Sequence, residues 1–148
     1  MALFLISSWV VLLDQISKAV IMRRLDLYEV VPCLGGFVRI THVRNAGAAF
    51  GMLQNKQNLF TAATLLAAAL VLVFHQRIPK REWPVRTGLA LGLGGAVGNL
   101  IDRIRFSSVV DFVEISPWPI FNLADSAIVL GVALILLWIL RVPGRKEE

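Results

Sequence analysis

The sequence predicts an α-helical integral membrane protein, with a four-helix transmembrane bundle and a small sheet at the membrane surface. Its 148 residues are 57% hydrophobic, and their mean hydropathy of +0.71 is above that of ordinary soluble domains. Four apolar segments approach the ~20 residues that a helix needs to cross ~30 Å of hydrocarbon. They lie at about residues 3–22, 59–75, 87–104 and 121–140. The remaining segments are too short for a separate soluble core, so we predict a single membrane domain over residues 1–148.

The first span contains two charged residues. Asp14 and Lys18 interrupt its apolar core, and no small-residue A-x-A cleavage site follows. We therefore interpret it as a retained helix rather than a cleavable signal peptide. The two residues are four positions apart and share a helix face. A self-neutralising ion pair is one interpretation of this spacing, and such a pair can also brace a functional site.

The segment at about residues 25–56 is too polar to cross a membrane. It combines β-branched and aromatic residues with glycine and proline, as in VVPCLGGFVRITHVRNAGAAFGML, which is typical of strands and turns. We predict a small sheet or hairpin that lies on the membrane surface. The segment holds Cys33, the one cysteine of the chain. A single cysteine excludes an internal disulfide and any site built from several thiolates.

Spans two and three differ in composition. The second span has no acidic residue and leads into an ordinary charged loop, HQRIPKREWPVR. The third span contains two G-x-x-x-G patterns, formed by Gly88 with Gly92 and by Gly94 with Gly98. Because small residues at this spacing let helix backbones approach closely, we interpret these glycines as a helix-packing face.

The basic residues do not by themselves orient the spans. Four spans place both termini on one side, and each side then has an equal number of Lys and Arg residues. The number of basic residues therefore does not decide the orientation by the positive-inside rule, although their density per residue favours the side with the termini as cytoplasmic. The net charge of +5 is spread over span ends and short loops. We therefore expect membrane lipids with anionic headgroups as partners, and no nucleic acid.

The polar residues of the spans converge in one half of the membrane. Alternating helix directions bring together the end of span one, the end of span three, the loop that follows and the start of span four. The residues concerned are Asp14, Lys18, Asn99, Asp102, Arg103, Asp111, Asn122 and Asp125, with the NAGAAFG segment on the same side. Ionisable residues in spans are costly unless paired or hydrated, so this cluster indicates a functional site.

Several of these residues also have purely structural interpretations. Asn122 and Asp125 suit the start of a helix, where Asn122 would cap and an acid in the first turn suits the helix dipole. Arg103 would reach the headgroups from the end of span three, and Asp111 would be a loop carboxylate. Glu114 is expected to be simply exposed.

The residue types limit the chemistry that the cluster can perform. The two histidines, His42 and His75, fall on opposite sides of the membrane, so a histidine-based triad or a zinc site is hard to assemble. A pair of aspartates that shares one proton can instead deprotonate a water and protonate a leaving amine. A Ser–Lys dyad is a less favoured alternative, because Lys18 already has Asp14 as a neighbour. Its serine would be Ser107, Ser108 or Ser126.

Five short motifs resemble a known family. They are DQISKAV at 14–20, RNAGAAFG at 44–51, GNLIDRI at 98–104, VVDFV at 109–113 and FNLADSAI at 121–128. In order and spacing they resemble those of bacterial lipoprotein signal peptidase, also called signal peptidase II or prolipoprotein signal peptidase. The resemblance implies an intramembrane aspartyl endopeptidase that removes the signal peptide from diacylglyceryl-modified prolipoproteins by cleaving just before the lipidated cysteine.

The resemblance also assigns roles to residues. The catalytic aspartates would be Asp111 and Asp125. The residues that support the dyad or bind substrate would be Asp14, Lys18, Asn45, Asn99, Asp102, Arg103 and Asn122. No cofactor or metal is implied, and one bundle suffices, so a monomer is expected.

The same resemblance implies a location. It predicts a multi-pass protein of the bacterial cytoplasmic (inner) membrane with both termini cytoplasmic and the active site toward the outer face. The segment at about 25–56 would form the extracytoplasmic β-cradle of the family.

Two other classes of function compete with this interpretation. Intramembrane Asp and Lys residues also build proton relays in small transporters, but here the charges leave no path across the membrane and no inverted repeat is evident. A structural or assembly protein with a glycine-rich docking face would leave Asp111 and Asp125 unexplained.

Overall fold

A computed structural model describes residues 2–47 and 57–141, and within these ranges it contains four α-helices and three strands. The helices are α1 (Ala2–Arg24), α2 (Gln57–Phe74), α3 (Trp83–Phe106) and α4 (Leu123–Arg141). The strands are β1 (Val30–Cys33), β2 (Val38–Asn45) and β3 (Val109–Glu114). The predicted helices and small sheet are thus confirmed, with each helix within a few residues of its predicted bounds.

Two of the four helices are long and apolar enough to cross a membrane. Among the described residues, α1 has a mean hydropathy of 1.5 over its best window and α4 has 2.5. The apolar stretch at Thr61–Arg77 is shorter. Helix α3 has sufficient length, but its glycines and charged residues dilute its apolar character.

Helix α3 packs against each of the other three helices, and its glycines make this packing possible. A Cβ at Gly88 would lie 2.5 Å from the Gly131 carbonyl oxygen, and one at Gly94 would lie 2.8 Å from the Ser7 carbonyl oxygen. The closest approach is at Gly95, which belongs to neither G-x-x-x-G pattern. Gly92 also faces α4, since a Cβ at Gly131 would lie 3.1 Å from the Gly92 nitrogen, but a Cβ at Gly92 itself would meet nothing within 4 Å.

The sheet is antiparallel with β2 between β1 and β3. Strand β1 pairs with β2 from Val30 opposite Thr41 to Cys33 opposite Val38. The predicted small sheet is therefore confirmed for the described part of this segment, and residues 48–56 lie outside the described residues.

Strand β3 corrects the expectation that Asp111 lies in a loop. It pairs with β2 and brings Val43 opposite Asp111 and Asn45 opposite Val109. The alternation in VVDFV is itself typical of a strand, but its pairing partner lies far away in the chain. A local pattern therefore did not reveal the pairing.

Large polar side chains are buried beside a small apolar core. The largest fully buried side chains, apart from Val110, are polar: Lys18, Asn122, Thr41, Asp14 and Asp102. By contrast, the helices present large apolar side chains outward, including Trp9, Leu66 and Leu136. Exposed apolar helix faces together with buried charged groups are what a lipid environment accommodates.

Candidate active site

Asp111 and Asp125 line one cavity of about 130 Å³. Strand β3 supplies Asp111, which is buried, and the first turn of α4 supplies Asp125, which is half-buried. Asn45, Asn99 and Arg103 line the same cavity. The structure thus brings five of the predicted site residues to one small space between β2, β3, α3 and α4.

Asn122 caps α4 and positions Asp125, as the spacing of these residues predicts. The side-chain oxygen of Asn122 accepts the backbone N–H of Asp125 at 3.0 Å, and the Asp125 carboxylate accepts the backbone N–H of Asn122 at 3.2 Å. This reciprocal arrangement is a capping box. It fixes the Asp125 side chain at the end of the helix beside the cavity.

The same asparagine reaches the other aspartate. Its Nδ2 donates to Asp111 Oδ1 at 2.7 Å and to Asn99 Oδ1 at 3.0 Å. Asn122 is fully buried, so it is a rigid link between the two carboxylates. The structural and functional interpretations of this residue are therefore compatible.

Asn45 holds the second oxygen of Asp111. Its Nδ2 donates to Asp111 Oδ2 at 2.8 Å, and its side-chain oxygen accepts the Gly47 N–H at 3.0 Å. Because the Gly47 amide occupies the oxygen, the amide nitrogen must face the aspartate. The turn after β2 therefore orients the Asn45 amide nitrogen toward Asp111. The N-A-G sequence is typical of such an Asx turn.

Burial raises the pKa of Asp111 to about 7. The hydrogen bond from Asn45 opposes this increase, and the nearby negative charge of Asp125 adds to it. A carboxyl with this pKa is partly protonated at neutral pH. Such a group can donate a proton when its neighbour accepts one.

The predicted ion pair of Asp14 and Lys18 is confirmed and is part of a larger cluster. Lys18 Nζ lies 2.8 Å from Asp14 Oδ2 and 3.0 Å from Asp102 Oδ2, and all three side chains are buried. Lys18 also donates to Asn99 Oδ1 at 2.9 Å. With its oxygen so occupied, Asn99 donates its Nδ2 to Asp125 Oδ1 at 2.8 Å. The cluster therefore lies behind the cavity and supports its wall.

The Ser–Lys alternative is wrong in this structure. The three donors of Lys18 go to Asp14, Asp102 and Asn99. Ser107 is exposed at the end of α3, and Ser108 and Ser126 donate to the carbonyl oxygens of Phe106 and Asn122. Since the donors of Lys18 are used elsewhere, the lysine does not activate any of the three hydroxyls.

One further expectation needs correction. Glu114 is half-buried rather than simply exposed, and it pairs with Arg39 across β2 and β3. His42 lies in β2, within the segment predicted for the sheet, and is buried there, with its Nδ1 3.1 Å from the Leu25 carbonyl oxygen. Within residues 2–47 and 57–141, no group of three or more His, Cys, Asp or Glu side chains is placed to hold a metal ion.

Sequence reasoning missed three residues that line the cavity. These are Gly47, Val109 and Ile120. Gly47 belongs to a motif that the sequence singles out, but Val109 and Ile120 are ordinary apolar residues with no local pattern to mark them. They line the cavity because β3 and the start of α4 meet there.

Comparison with known proteins gives the family. The family model for signal peptidase (SPase) II matches residues 6–141. The lipoprotein signal peptidase of Moorella thermoacetica is 45% identical over 147 residues, which cover 99% of this chain and 97% of that protein. That of Pelotomaculum thermopropionicum is 44% identical over 148 residues, which cover 100% and 97% of the two chains.

Solved structures agree with this result. Two structures described as bacterial membrane enzymes, obtained by the in meso method, are similar over almost the whole chain. One has a TM-score of 0.89 at 30% identity, covering 99% of this chain and 94% of the other. The second has a TM-score of 0.87 at 32% identity, covering 96% and 94%. The chain therefore belongs to the signal peptidase II family.

Proposed function

We propose that this chain is an intramembrane aspartyl endopeptidase that removes the signal peptide from diacylglyceryl-modified prolipoproteins, cleaving just before the lipidated cysteine. Membership of the signal peptidase II family supports removal of lipoprotein signal peptides by a membrane protease. The aspartyl mechanism and the position of the cut extend beyond that membership.

One observation carries the aspartyl mechanism: Asp111 and Asp125 line the same cavity in different environments. Asp111 is buried between two asparagine donors and has a pKa of about 7. Asp125 is half-buried at the start of α4. Two carboxyl groups in unequal surroundings are suited to opposite roles in proton transfer. Asp111 would carry the shared proton, and Asp125 would be the base.

The proposed reaction follows from these roles. Asp125 takes a proton from a water molecule, whose oxygen forms a bond to the scissile carbonyl carbon, and Asp111 gives its proton to the carbonyl oxygen. The carbon–nitrogen bond then breaks as the leaving nitrogen receives the proton from Asp125, and one hydroxyl of the intermediate returns its proton to Asp111, which forms the product carboxyl group and restores the starting dyad. Asn45, Asn99 and Asn122 hold the carboxylates in place for both steps.

Arg103 is proposed to hold the substrate. It lines the cavity beside both aspartates, where its guanidinium can donate to the substrate backbone without acting in proton transfer. The signal peptide is an apolar helix and can enter from the lipid. The diacylglyceryl chains would then lie along the outward apolar faces of the bundle.

We further propose that all four helices cross the bacterial cytoplasmic membrane as a monomeric single domain. Both termini would be cytoplasmic, and the cavity would open toward the outer face with the sheet as its cradle. The hydropathy of α1 and α4 and the outward apolar side chains of the helices support this arrangement. Polar residues at one end of the bundle also support a site near one membrane surface.

A cleavage assay tests the proposal. The purified protein, in detergent or lipid, is incubated with a diacylglyceryl-modified lipobox peptide, and the products are identified by mass spectrometry. We expect one cut, before the modified cysteine. We also expect Asp111→Asn and Asp125→Asn each to abolish it while the protein still inserts and folds. Full activity in either variant would contradict the dyad, and a cut elsewhere would contradict the stated specificity.

A further inference from the structure

Two buried carboxylates each bind the peptide N–H that precedes one of the two cavity aspartates. Asp14 Oδ1 accepts the N–H of Ala124 at 3.0 Å, and Asp125 is the next residue. Asp102 Oδ2 accepts the N–H of Val110 at 3.0 Å, and Asp111 is the next residue. A charged acceptor therefore fixes the backbone immediately before each aspartate. Hydrogen bonds to charged acceptors are stronger than those between neutral groups.

The distance between these two carboxylates thus affects the distance between the two aspartates. Lys18 is one connection, because its ammonium group contacts both Asp14 and Asp102. Its three donors are fully used by these residues and Asn99. Lys18 therefore has no further donor for Asp102 Oδ1.

Gln15 supplies the second connection. Its Nε2 donates to Asp102 Oδ1 at 3.0 Å and to Asp14 Oδ2 at 3.1 Å, and it lies 3.2 Å from the Gly98 carbonyl oxygen. The amide group thus joins α1 to α3 and contacts both carboxylates. A hydrogen bond to a buried charged acceptor is costly to remove, because the oxygen then loses its partner.

We propose that Gln15 is a positioning residue that, with Lys18, sets the separation of Asp111 and Asp125 by joining Asp14 to Asp102. Gln15 does not line the cavity of the two aspartates. It lines an apolar groove between α1, α2 and α3, with neighbours that include Leu12, Leu72 and Val97. Gln15 therefore acts on the aspartates through other side chains, not by contact with the substrate's scissile bond. The proposal rests on the proposed aspartyl mechanism.

The location of Gln15 predicts a particular kinetic result. A change that loosens the two aspartates impairs the chemical step but leaves the cavity lining and its substrate contacts intact. We expect Gln15→Leu to lower kcat about tenfold, as the loss of roughly one charge-assisted hydrogen bond would, with KM within about twofold of the original. Leucine suits the apolar surroundings of the groove, so the fold should tolerate it.

The experiment compares this variant with a matched control. Gln76 is exposed in the short turn after α2, so Gln76→Leu makes the same chemical change far from the cluster and should leave kcat and KM unchanged. Gln15→Glu retains the side-chain size but removes the donors and adds negative charge beside Asp14 and Asp102. We expect its kcat to fall further than that of Gln15→Leu. Thermal unfolding shows whether each variant is folded. If Gln15→Leu does not fold, the kcat of Gln15→Glu tests the positioning role instead.

The outcomes separate the two proposals. If Asp125→Asn is inactive but the folded Gln15 variant has the kcat of Gln76→Leu, the positioning role is wrong and the aspartyl mechanism stands. A raised KM with unchanged kcat would assign Gln15 to substrate binding and would also overturn the positioning role. If Asp111→Asn and Asp125→Asn both cleave normally, the aspartyl mechanism itself fails.

Discussion

At the scale of single residues, the site depends on asparagines whose amide groups can point only one way. Asn45, Asn99 and Asn122 each have the side-chain oxygen occupied by a donor, namely Gly47 N–H, Lys18 Nζ and Asp125 N–H. Their nitrogens therefore face carboxylates. Aspartate or serine would not reproduce this combination of acceptor and donor.

The pKa of Asp111 predicts how activity depends on pH. If the reaction needs protonated Asp111, kcat/KM, which reports the pKa values of the free enzyme, declines as pH rises through about 7, the pKa of this group. The hydrogen bond from Asn45 lowers that pKa, so Asn45→Ala should raise it and move the alkaline limit of kcat/KM to higher pH. The pH profile of kcat/KM with the lipidated peptide measures this shift. Asn58→Ala, at an exposed position, is the control, and a limit that stays or moves to lower pH would contradict the role given to Asp111.

Asn122 offers a way to separate its two functions. Serine at position 122 retains a capping oxygen for α4 but loses the amide donors to Asp111 and Asn99. Alanine loses the capping oxygen as well as the donors. We expect Asn122→Ser and Asn122→Ala to be similarly impaired in cleavage. We expect Asn122→Ala to be less stable than Asn122→Ser by about 1 kcal/mol, the usual effect of a helix cap.

Thermal or denaturant unfolding in detergent measures the difference in stability between these two variants, and the peptide assay measures cleavage. Equal stability would indicate that the cap is not needed to hold α4. Normal cleavage by the serine variant would show that the amide donors are dispensable.

At the scale of elements, close helix packing positions the start of α4. Gly95 of α3 lies against the backbone of Ala124, where an added Cβ would be 2.3 Å from the carbonyl oxygen. Asp125 is the next residue along the helix. The glycine therefore sets the height at which one of the two aspartates lies relative to α3.

Alanine substitution at two glycines of α3 should affect stability and cleavage differently. Gly95→Ala forces α3 and α4 apart and should both destabilise the fold and reduce cleavage, because no flexible side-chain end is available to move at that carbonyl. Gly92→Ala meets nothing within 4 Å and should be neutral or slightly stabilising, since alanine favours helix. Unfolding temperature and kcat are measured for both. Equal behaviour of the two variants would contradict this account of the packing.

At the scale of the whole molecule, charged side chains are buried while the helices expose large apolar side chains. The cluster of Asp14, Lys18 and Asp102 has charges with almost no exposure. Buried charges of this kind persist only when they are paired and hydrogen-bonded. The cluster joins α1 to α3 and, through backbone N–H groups, to β3 and α4. It is therefore a structural centre as well as a support for the site.

Removal of the central cation should be severe. Lys18→Met leaves two buried carboxylates without their cation, and we expect a loss of about 3–5 kcal/mol in the free energy of unfolding. Arg39→Met breaks the pair with Glu114, whose side chains are 44% and 22% exposed, and should cost about 0–1 kcal/mol. Denaturant or thermal unfolding in detergent compares the two. A mild effect at Lys18 would show that its ion pairs contribute little to the fold.

The side-chain contacts that the sequence predicted are those between residues close together in the chain. Asp14 with Lys18 and Asn122 with Asp125 are pairs within one helix turn, where spacing alone indicates contact. The contacts of Asp102 with Lys18 and of Asn45 with Asp111 join distant segments. Topology predicted their proximity, but it did not predict which atoms meet.

The sequence by itself determined the helices, the small sheet next to them, the collection of polar residues at one end and, through its motifs, the family. These features follow from composition, local periodicity and residue order, which do not require knowledge of packing. Only the tertiary structure decided that Asp111 lies on a strand and that, among the glycines described, Gly95 approaches a neighbouring helix most closely. It also decided that Gln15 joins Asp14 to Asp102. Each of these depends on how separate segments pack, because a side chain's partner across an interface is set by distance in space and not by spacing in the chain.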